Sequence, residues 1–471
     1  MSKTLNNVVT HDRLFDNKLS VENSSVKKKG NRTLKRLSVT LVILMFLAPS
    51  VVVVSDMFGE SGSGAANPVF GEGTAQRPFV ITNESELAGI GQNPNAYYIL
   101  GDDITISNFK TVQTFSGVLY GNGKTIKSLK TAMFTNNRGT IQDLIVEAAD
   151  VSITSSNAST VYAGSIAEYN YGTITRCDVY NSTISATLTT TSNSATTIAG
   201  GIAAYNSGSI TYCYVSPGTA VRATITHSTT DSNSAYGTAA SGGIAGQSTG
   251  TVQGCSSGAV TSSDIVYNYK GAVIIVGGVE PSEYAVSGGV VGSRTGGTVS
   301  DCYGTGGLAT ASIIVNGTNM WGTGSSYNRC THSTGAICGA GSSTSSTTVT
   351  SNVPKWNYAN GDGLLTVTSK PTKTDYSAGE AIDISGMAVV LRGSSSNIPL
   401  SLSSVSVYDL TAKSGAQWLY VKYLDKITVL SLKGDAGQAV SFSTESWLLW
   451  AAMCIVVLAA IGGMIWFKRS P

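Results

Sequence analysis

Four stretches of the chain repeat one arrangement of apolar and polar positions: GSIAEYNYGTITRCDV from Gly164, GGIAAYNSGSITYCYV from Gly200, GGIAGQSTGTVQGCSS from Gly242 and GGVVGSRTGGTVSDCY from Gly288. They align on Gly172, Gly208, Gly250 and Gly297. Two positions after each glycine stands a β-branched aliphatic: Ile174, Ile210, Val252, Val299. Six positions before stands another: Ile166, Ile202, Ile244, Val291. Five positions after comes a cysteine: Cys177, Cys213, Cys255, Cys302. An earlier copy, MFTNNRGTIQDLIV from Met133, puts Leu144 at the cysteine position, so that position asks for an apolar side chain rather than a thiol. Self-similarity at periods of tens of residues marks a solenoid. Short Ile/Val strands bounded by Gly and Asn turns describe one rung of a parallel β-coil. A single rung cannot bury its apolar face, whereas rungs stacked ~4.8 Å apart build ladders of like side chains. The glycines are 33, 36, 42 and 47 residues apart. The added length follows the cysteine strand, in TLTTTSNSATT, THSTTDSNSAYGTAA and IVYNYKGAVIIVGGVEPSEYA. These segments are expected as loops or hairpins leaving one edge, which in a solenoid is often the binding face.

Two apolar segments bound this region. Trp447–Phe467 holds twenty-one residues without a charge and is followed by Lys468 and Arg469. As a helix it would span about 30 Å, the thickness of a bilayer core, with Trp447, Trp450 and Trp466 at headgroup level. Residues 37–56 form a second segment, after Lys27, Lys28, Lys29, Arg32, Lys35 and Arg36. Positive flanks stay cytoplasmic, so 1–36 and 468–471 are assigned to the cytoplasm and 57–446 to the outside. Pro49, Ser50 and Ser55 suit the end of a signal peptide, whereas the segment's length suits an uncleaved signal anchor; both readings stand. Either way, the expected location is the cell membrane with an extracellular ectodomain.

Charge adds little chemistry. Asp, Glu, Lys and Arg make up only 12% of the chain and the net charge is +2. Residues 57–446 hold nineteen basic against twenty-four acidic residues, with no basic stripe of the kind nucleic acid requires. Three histidines and the wide cysteine spacing argue against a metal site, and no cofactor is implied. The four repeat cysteines read as buried free thiols, because stacked Cβ vectors are poorly aimed for a disulfide. Cys330 and Cys338, close together in a Gly-rich stretch, are a candidate disulfide. A β-coil enzyme acting on carbohydrate would need converging carboxylates. Asp143 and Asp301 share one repeat position with Tyr212 and Gly254 between them, which implies no close pair. The doublet Asp102-Asp103 reads as a turn. Tyr236, Tyr267, Tyr269 and Tyr284 in the inserted segments are candidate ligand-binding residues, since a tyrosine pairs an apolar face with a polar tip. Asn83, Asn157, Asn181 and Asn316 stand in N-x-Ser/Thr sequons and are candidate glycosylation sites.

The rung pattern resembles the GLUG-type repeat of bacterial and archaeal adhesin-like surface proteins. GEGTAQRPFVITNESELAGI from Gly71, YYILGDDITI from Tyr97 and FSGVLYGNGKTIKSL from Phe115 resemble the capping segment of such coils, and WNYANGDGLL from Trp356 their closing segment. DYSAGEAIDISGMAVV and WLYVKYLDKITVLSL resemble a bacterial Ig-like domain. The resemblance implies an all-β protein: a right-handed parallel β-helix over 68–365, a small Ig-like β-sandwich over 366–436, and a transmembrane helix over 447–467. It further implies adhesion through glycans or surface proteins and no catalysis. A carbohydrate-active enzyme and a structural envelope component are the alternatives.

Overall fold

The computed structural model describes residues 70–434 except 157, 193, 229–235, 269–282, 305–308, 316–317, 322–329, 334–337, 342–362, 393–395 and 414–416. From Tyr97 onward the turns visit three sheets in the same order, and from Asp150 onward two further sheets are added to each turn. In the turn that begins at Ala167 these strands are Ala167–Asn170 (sheet 1), Thr173–Thr175 (sheet 2), Asp178–Tyr180 (sheet 3), Thr183–Thr190 (sheet 4) and Ser194–Gly200 (sheet 5). Every strand pairs in parallel with its equivalent in the next turn, so Ile174 lies between Ile141 and Ile210, and Val252 between Ile210 and Val299. Sheet 2 stacks eight strands and sheets 1 and 3 seven each, an arrangement that fits a parallel β-helix.

The core is a set of vertical columns. Leu119, Ile141, Ile174, Ile210, Val252 and Val299 form one of them, all fully buried. Larger rings fill the first turns, where Phe115 stacks on Phe134 at 4.9 Å and approaches Tyr98 at 6.3 Å. The four cysteines stand in a single column above Leu144: the Asp178 amide donates to the Leu144 carbonyl, and the Tyr214, Ser256 and Tyr303 amides to those of Cys177, Cys213 and Cys255. All four are buried free thiols. The Cys177 N–H points at Cys213 Sγ (3.5 Å) and that of Cys213 at Cys255 Sγ (3.4 Å). Burial pushes the thiols of Cys177, Cys213 and Cys255 well above the usual thiol range.

One alignment is corrected. The Ile202 amide donates to the Ile244 carbonyl, and the Ile244 amide to that of Val290, so the column is Ile166–Ile202–Ile244–Val290. Val291 belongs one position further on, beside Ala167, Ala203 and Ala245. The fourth repeat carries one extra residue at Thr295-Gly296, where the earlier turn has Thr249 alone, and the corner absorbs it.

The inserted segments begin and end in strands, and residues 229–235 and 269–282 within them lie outside the described residues. Thr183–Thr190, Ala220–His227 and Val260–Tyr267 stack in parallel in sheet 4, and Ser194–Gly200, Tyr236–Gly242 and Glu283–Gly288 in sheet 5. The two sheets face each other and extend the turn sideways as a two-layer fin. Its interior alternates apolar positions (Ala186, Leu188, Ala223, Ile225, Ala239, Ile265) with buried hydroxyls. Four of these hydroxyls pair with one another: Ser241 Oγ lies 2.8 Å from Ser263 Oγ and 3.1 Å from Ser287 Oγ, and Ser287 donates to Thr261 Oγ1 at 2.8 Å.

Residues Leu365–Gly434 form a separate pair of sheets: an antiparallel set of three strands, and a set of four that is antiparallel except for one edge pairing. They enclose a core of Leu365, Met387, Val389, Leu419, Val421 and Leu432, among others. The strand Gln417–Tyr423 is buried on both faces. Its alternate residues Trp418 and Tyr420 join Val80 and Ile99, on the outer face of sheet 2, in a second apolar cluster. Tyr420 Oη donates to the Pro78 carbonyl (3.0 Å), Thr428 Oγ1 to Asn122 Oδ1 (2.8 Å), and Arg77 pairs with Asp409 (3.0 Å). The chain therefore folds back on its own first turns.

Among the described residues no helix is long and apolar enough to cross a membrane. The segments 37–56 and 447–467 lie outside the described residues, as do 1–36, 468–471 and residues 356–362 of the closing segment.

Candidate functional site

The outer faces of sheets 5 and 1 meet at a re-entrant corner that runs along the stack as a shallow notch, where they touch through Tyr162 and Tyr169 and through a buried apolar cluster. Two columns flank it. On sheet 5 these are Thr160, Thr196, Thr238 and Tyr284; on sheet 1, Asn136, Tyr169, Tyr205, Gln247 and Ser293. Beneath them Ile198, Ala204, Ala240 and Val286 close the floor as a small apolar cluster, with Tyr162 packed on its end. The notch exists because the chain doubles back sharply between the two sheets. At Gly200 an added Cβ would lie 1.9 Å from the Ala203 carbonyl oxygen, so only glycine fits this turn.

Tyrosines concentrate where the notch begins. The rings of Tyr162 and Tyr169 lie 4.7 Å apart across the two sheets, Tyr169 and Tyr205 6.0 Å apart along the column. Tyr169 and Tyr171 lie nearly parallel at 6.1 Å, and the Arg138 guanidinium covers Tyr171 at 5.0 Å. Tyr205 Oη lies 3.1 Å from Thr249 Oγ1. Desolvation pushes the Tyr169 hydroxyl well above the ordinary phenol range, reinforced by its hydrogen bond with Tyr162. It also raises the carboxyl of the adjacent Glu168. Tyr171 stays 42% exposed. Half-buried rings of this kind can present a flat apolar surface beside polar groups.

Of the tyrosines nominated from sequence, Tyr284 is 51% exposed on the notch wall, in the column of Thr238. Tyr267 is corrected: it is 2% exposed inside the fin, stacked on His227 at 5.0 Å, and presents nothing to a ligand. Tyr236 begins a strand opposite Ser194, and its side chain lies outside the described residues, as does all of Tyr269. Cys330 pairs with Ala285 and Cys338 with Val291 as the next strands of sheets 5 and 1, so both belong to a further turn rather than a loop; their side chains lie outside the described residues. Among the sequons, Asn83 is exposed and caps the short helix Glu84–Ala88, its Oδ1 accepting from the Glu86 amide. Asn181 is exposed in a left-handed conformation (φ 48°). Asn157 and Asn316 lie outside the described residues.

Asp143 and Asp301 stand four turns apart. The corner column Asp143–Arg176–Tyr212–Gly254–Asp301 shares a left-handed backbone, with φ from 53° to 63°. Asp143 is held there by a buried two-pronged pair, Arg176 Nε to Oδ1 at 2.6 Å and Nη2 to Oδ2 at 3.0 Å. Asp103 Oδ1 accepts from the Thr125 amide at 2.8 Å, as a turn residue does. Among the described residues no group of three or more His, Cys, Asp or Glu side chains is placed to hold a metal ion.

The sequence pattern did not single out the tyrosine cluster, although its signal was there. Tyr169 and Tyr205 both stand three positions before an alignment glycine, and Tyr171 one before. A second column at the same corner went unnoticed too. Asn137 donates to Asn170 (2.7 Å), Asn170 to Asn206 (2.8 Å) and Asn206 to Ser248 (3.1 Å), all buried. No family model, curated protein or solved structure matches this chain.

Proposed function

We propose that this chain is a membrane-anchored, externally displayed, adhesin-like protein that binds glycans or surface proteins and catalyses no reaction of its own. In this reading the stacked turns are a right-handed parallel β-helix of GLUG type, and Leu365–Gly434 is an Ig-like β-sandwich. The apolar segment at 447–467 holds the molecule in the cell membrane. The observation that carries the reading is the notch, where half-buried tyrosines and a column of hydroxyl and amide side chains flank a corner closed by a buried apolar cluster. Rigid β-ladders hold these side chains at fixed spacing, which limits the entropy lost when a ligand binds. The pairing of Asp143 with Arg176 supports the non-catalytic part, since it engages the buried carboxylate of the coil corner.

The test is a screen of the full-length chain, in detergent, against immobilised glycans and surface proteins, beside a Tyr169→Ala, Tyr205→Ala variant. Capture of a ligand by the parent chain, weakened at least about tenfold in the variant, is the expected result; loss of two aromatic contacts suffices for that. Capture that is equal in both, or none at all, counts against it.

A further inference from the structure

We propose that the notch takes a neutral, linear, β-linked polysaccharide lying along the stack, one sugar unit to each turn. This rests on the binding reading above and narrows its ligand. Three features of the notch converge on it.

The first is periodicity. The sheet 1 wall presents five successive side chains (Asn136, Tyr169, Tyr205, Gln247, Ser293), one per turn. Turns repeat every ~4.8 Å, close to the advance of one pyranose in an extended chain. A polymer with that repeat meets one hydrogen-bonding or ring side chain of this column at every unit.

The second is the state of the backbone. The walls are sheet faces, and their amides and carbonyls are engaged in the ladders between turns. An extended peptide binds by adding to an unpaired strand edge, which these faces do not offer. Side-chain hydroxyls, amides and phenol rings remain, the set that recognises sugar hydroxyls and the apolar face of a pyranose.

Charge is the third. Thr196, Thr238, Tyr205, Gln247 and Ser293 carry none, and Arg294 beside them turns its Nη2 to the Gly297 carbonyl (2.7 Å). Among the described residues at the notch, the charged groups stand towards its ends: Glu168, half-buried, and Arg138 against Tyr171 in the first turns, and Arg294 in the last. Between the two ends the notch suits an uncharged chain; a polyanion would find no row of cations and a polycation no row of carboxylates.

Titration calorimetry of the full-length chain in detergent with β-1,4-linked glucose and mannose oligosaccharides of two to eight units tests this. The expected Kd falls about two- to tenfold with each added unit up to about five, one contact per turn, and is then flat. Tyr205→Ala should flatten the series earlier while leaving the disaccharide unaffected, and circular dichroism verifies that this variant is folded. Affinity independent of length, or tighter binding of a uronic-acid polymer, overturns the inference. Capture of a protein or of single sugars that is lost in the Tyr169→Ala, Tyr205→Ala variant overturns it and leaves the binding reading standing. Capture untouched by that variant removes both.

Discussion

Asp143 and Arg176 adopt the same left-handed conformation one turn apart, at a cost of roughly 1–2 kcal/mol each for a side chain with a Cβ. What holds them is their mutual pairing under the surface, with both side chains less than a tenth exposed. Arg176→Met leaves the Asp143 carboxylate buried without its cation. We expect a loss of about 3–5 kcal/mol in chemical denaturation. Combining it with Asp143→Asn should recover part of that loss, because no charge is then stranded. His227 offers a pH readout. It sits inside the fin with its ring on Tyr267, and burial lowers its pKa below the usual 6.5. The unfolded chain therefore takes up the proton first. Its contribution to stability is complete above about pH 6.5 and is lost as pH falls through that value, levelling off once the folded state also protonates. Thermal melts from about pH 7.5 to about pH 5 should show this fall, and His227→Phe, which keeps the ring stack, should reduce it. A melt profile unchanged by the substitution would refute the assignment.

The fin is the element whose stacking the sequence left open, between loops and hairpins, and the reason lies in what fills it. Segments such as TISATLTT alternate, but their inward positions include Ala, Ser and Thr, which by polarity alone belong to loops. Only when sheets 4 and 5 face each other do Ser241, Ser263, Ser287 and Thr261 find one another. These four hydroxyls are then no longer unsatisfied donors, and burying them becomes tolerable. Body strands were legible because Ile and Val recur at fixed offsets from a glycine whose neighbours form the corner. The tight return from fin to body gives the test at this scale. Gly200→Ala would push a methyl into the Ala203 carbonyl, and we expect it to destabilise the chain by about 1–3 kcal/mol. The same substitution should weaken ligand capture by displacing Tyr205 from its column. If melting temperature and capture are both unchanged, the return does not depend on this close approach.

For the molecule as a whole, the packing of the C-terminal sheets on the first turns matters most. Residues separated by 342 positions, Tyr420 and Pro78, share a hydrogen bond, and Trp418 fills the space left by the missing side chain of Gly101. The outer face of Val80 and Ile99 would otherwise be an apolar patch on a sheet. Trp418→Ala removes the largest anchor of this contact, a truncation that costs about 3–5 kcal/mol in a well-packed core. The expected consequence is local: limited proteolysis should release the C-terminal sheets sooner, while the four buried thiols stay protected from alkylation. Thiols that become reactive at the same time would mean that the two parts unfold as one unit.

The local pattern alone settled that turns of backbone pile up in register, because an aliphatic side chain at an invariant offset can be buried only by its equivalents above and below. The single column of Cys177, Cys213, Cys255 and Cys302 bears that out. Three things waited for the tertiary structure: that Val290 rather than Val291 continues the isoleucine column, that the inserted segments form a second pair of stacked sheets, and that the C-terminal sheets return to the beginning. Each depends on contacts between residues far apart in the chain. Offsets within a repeat record what one turn requires, and carry no information about which outer faces will meet.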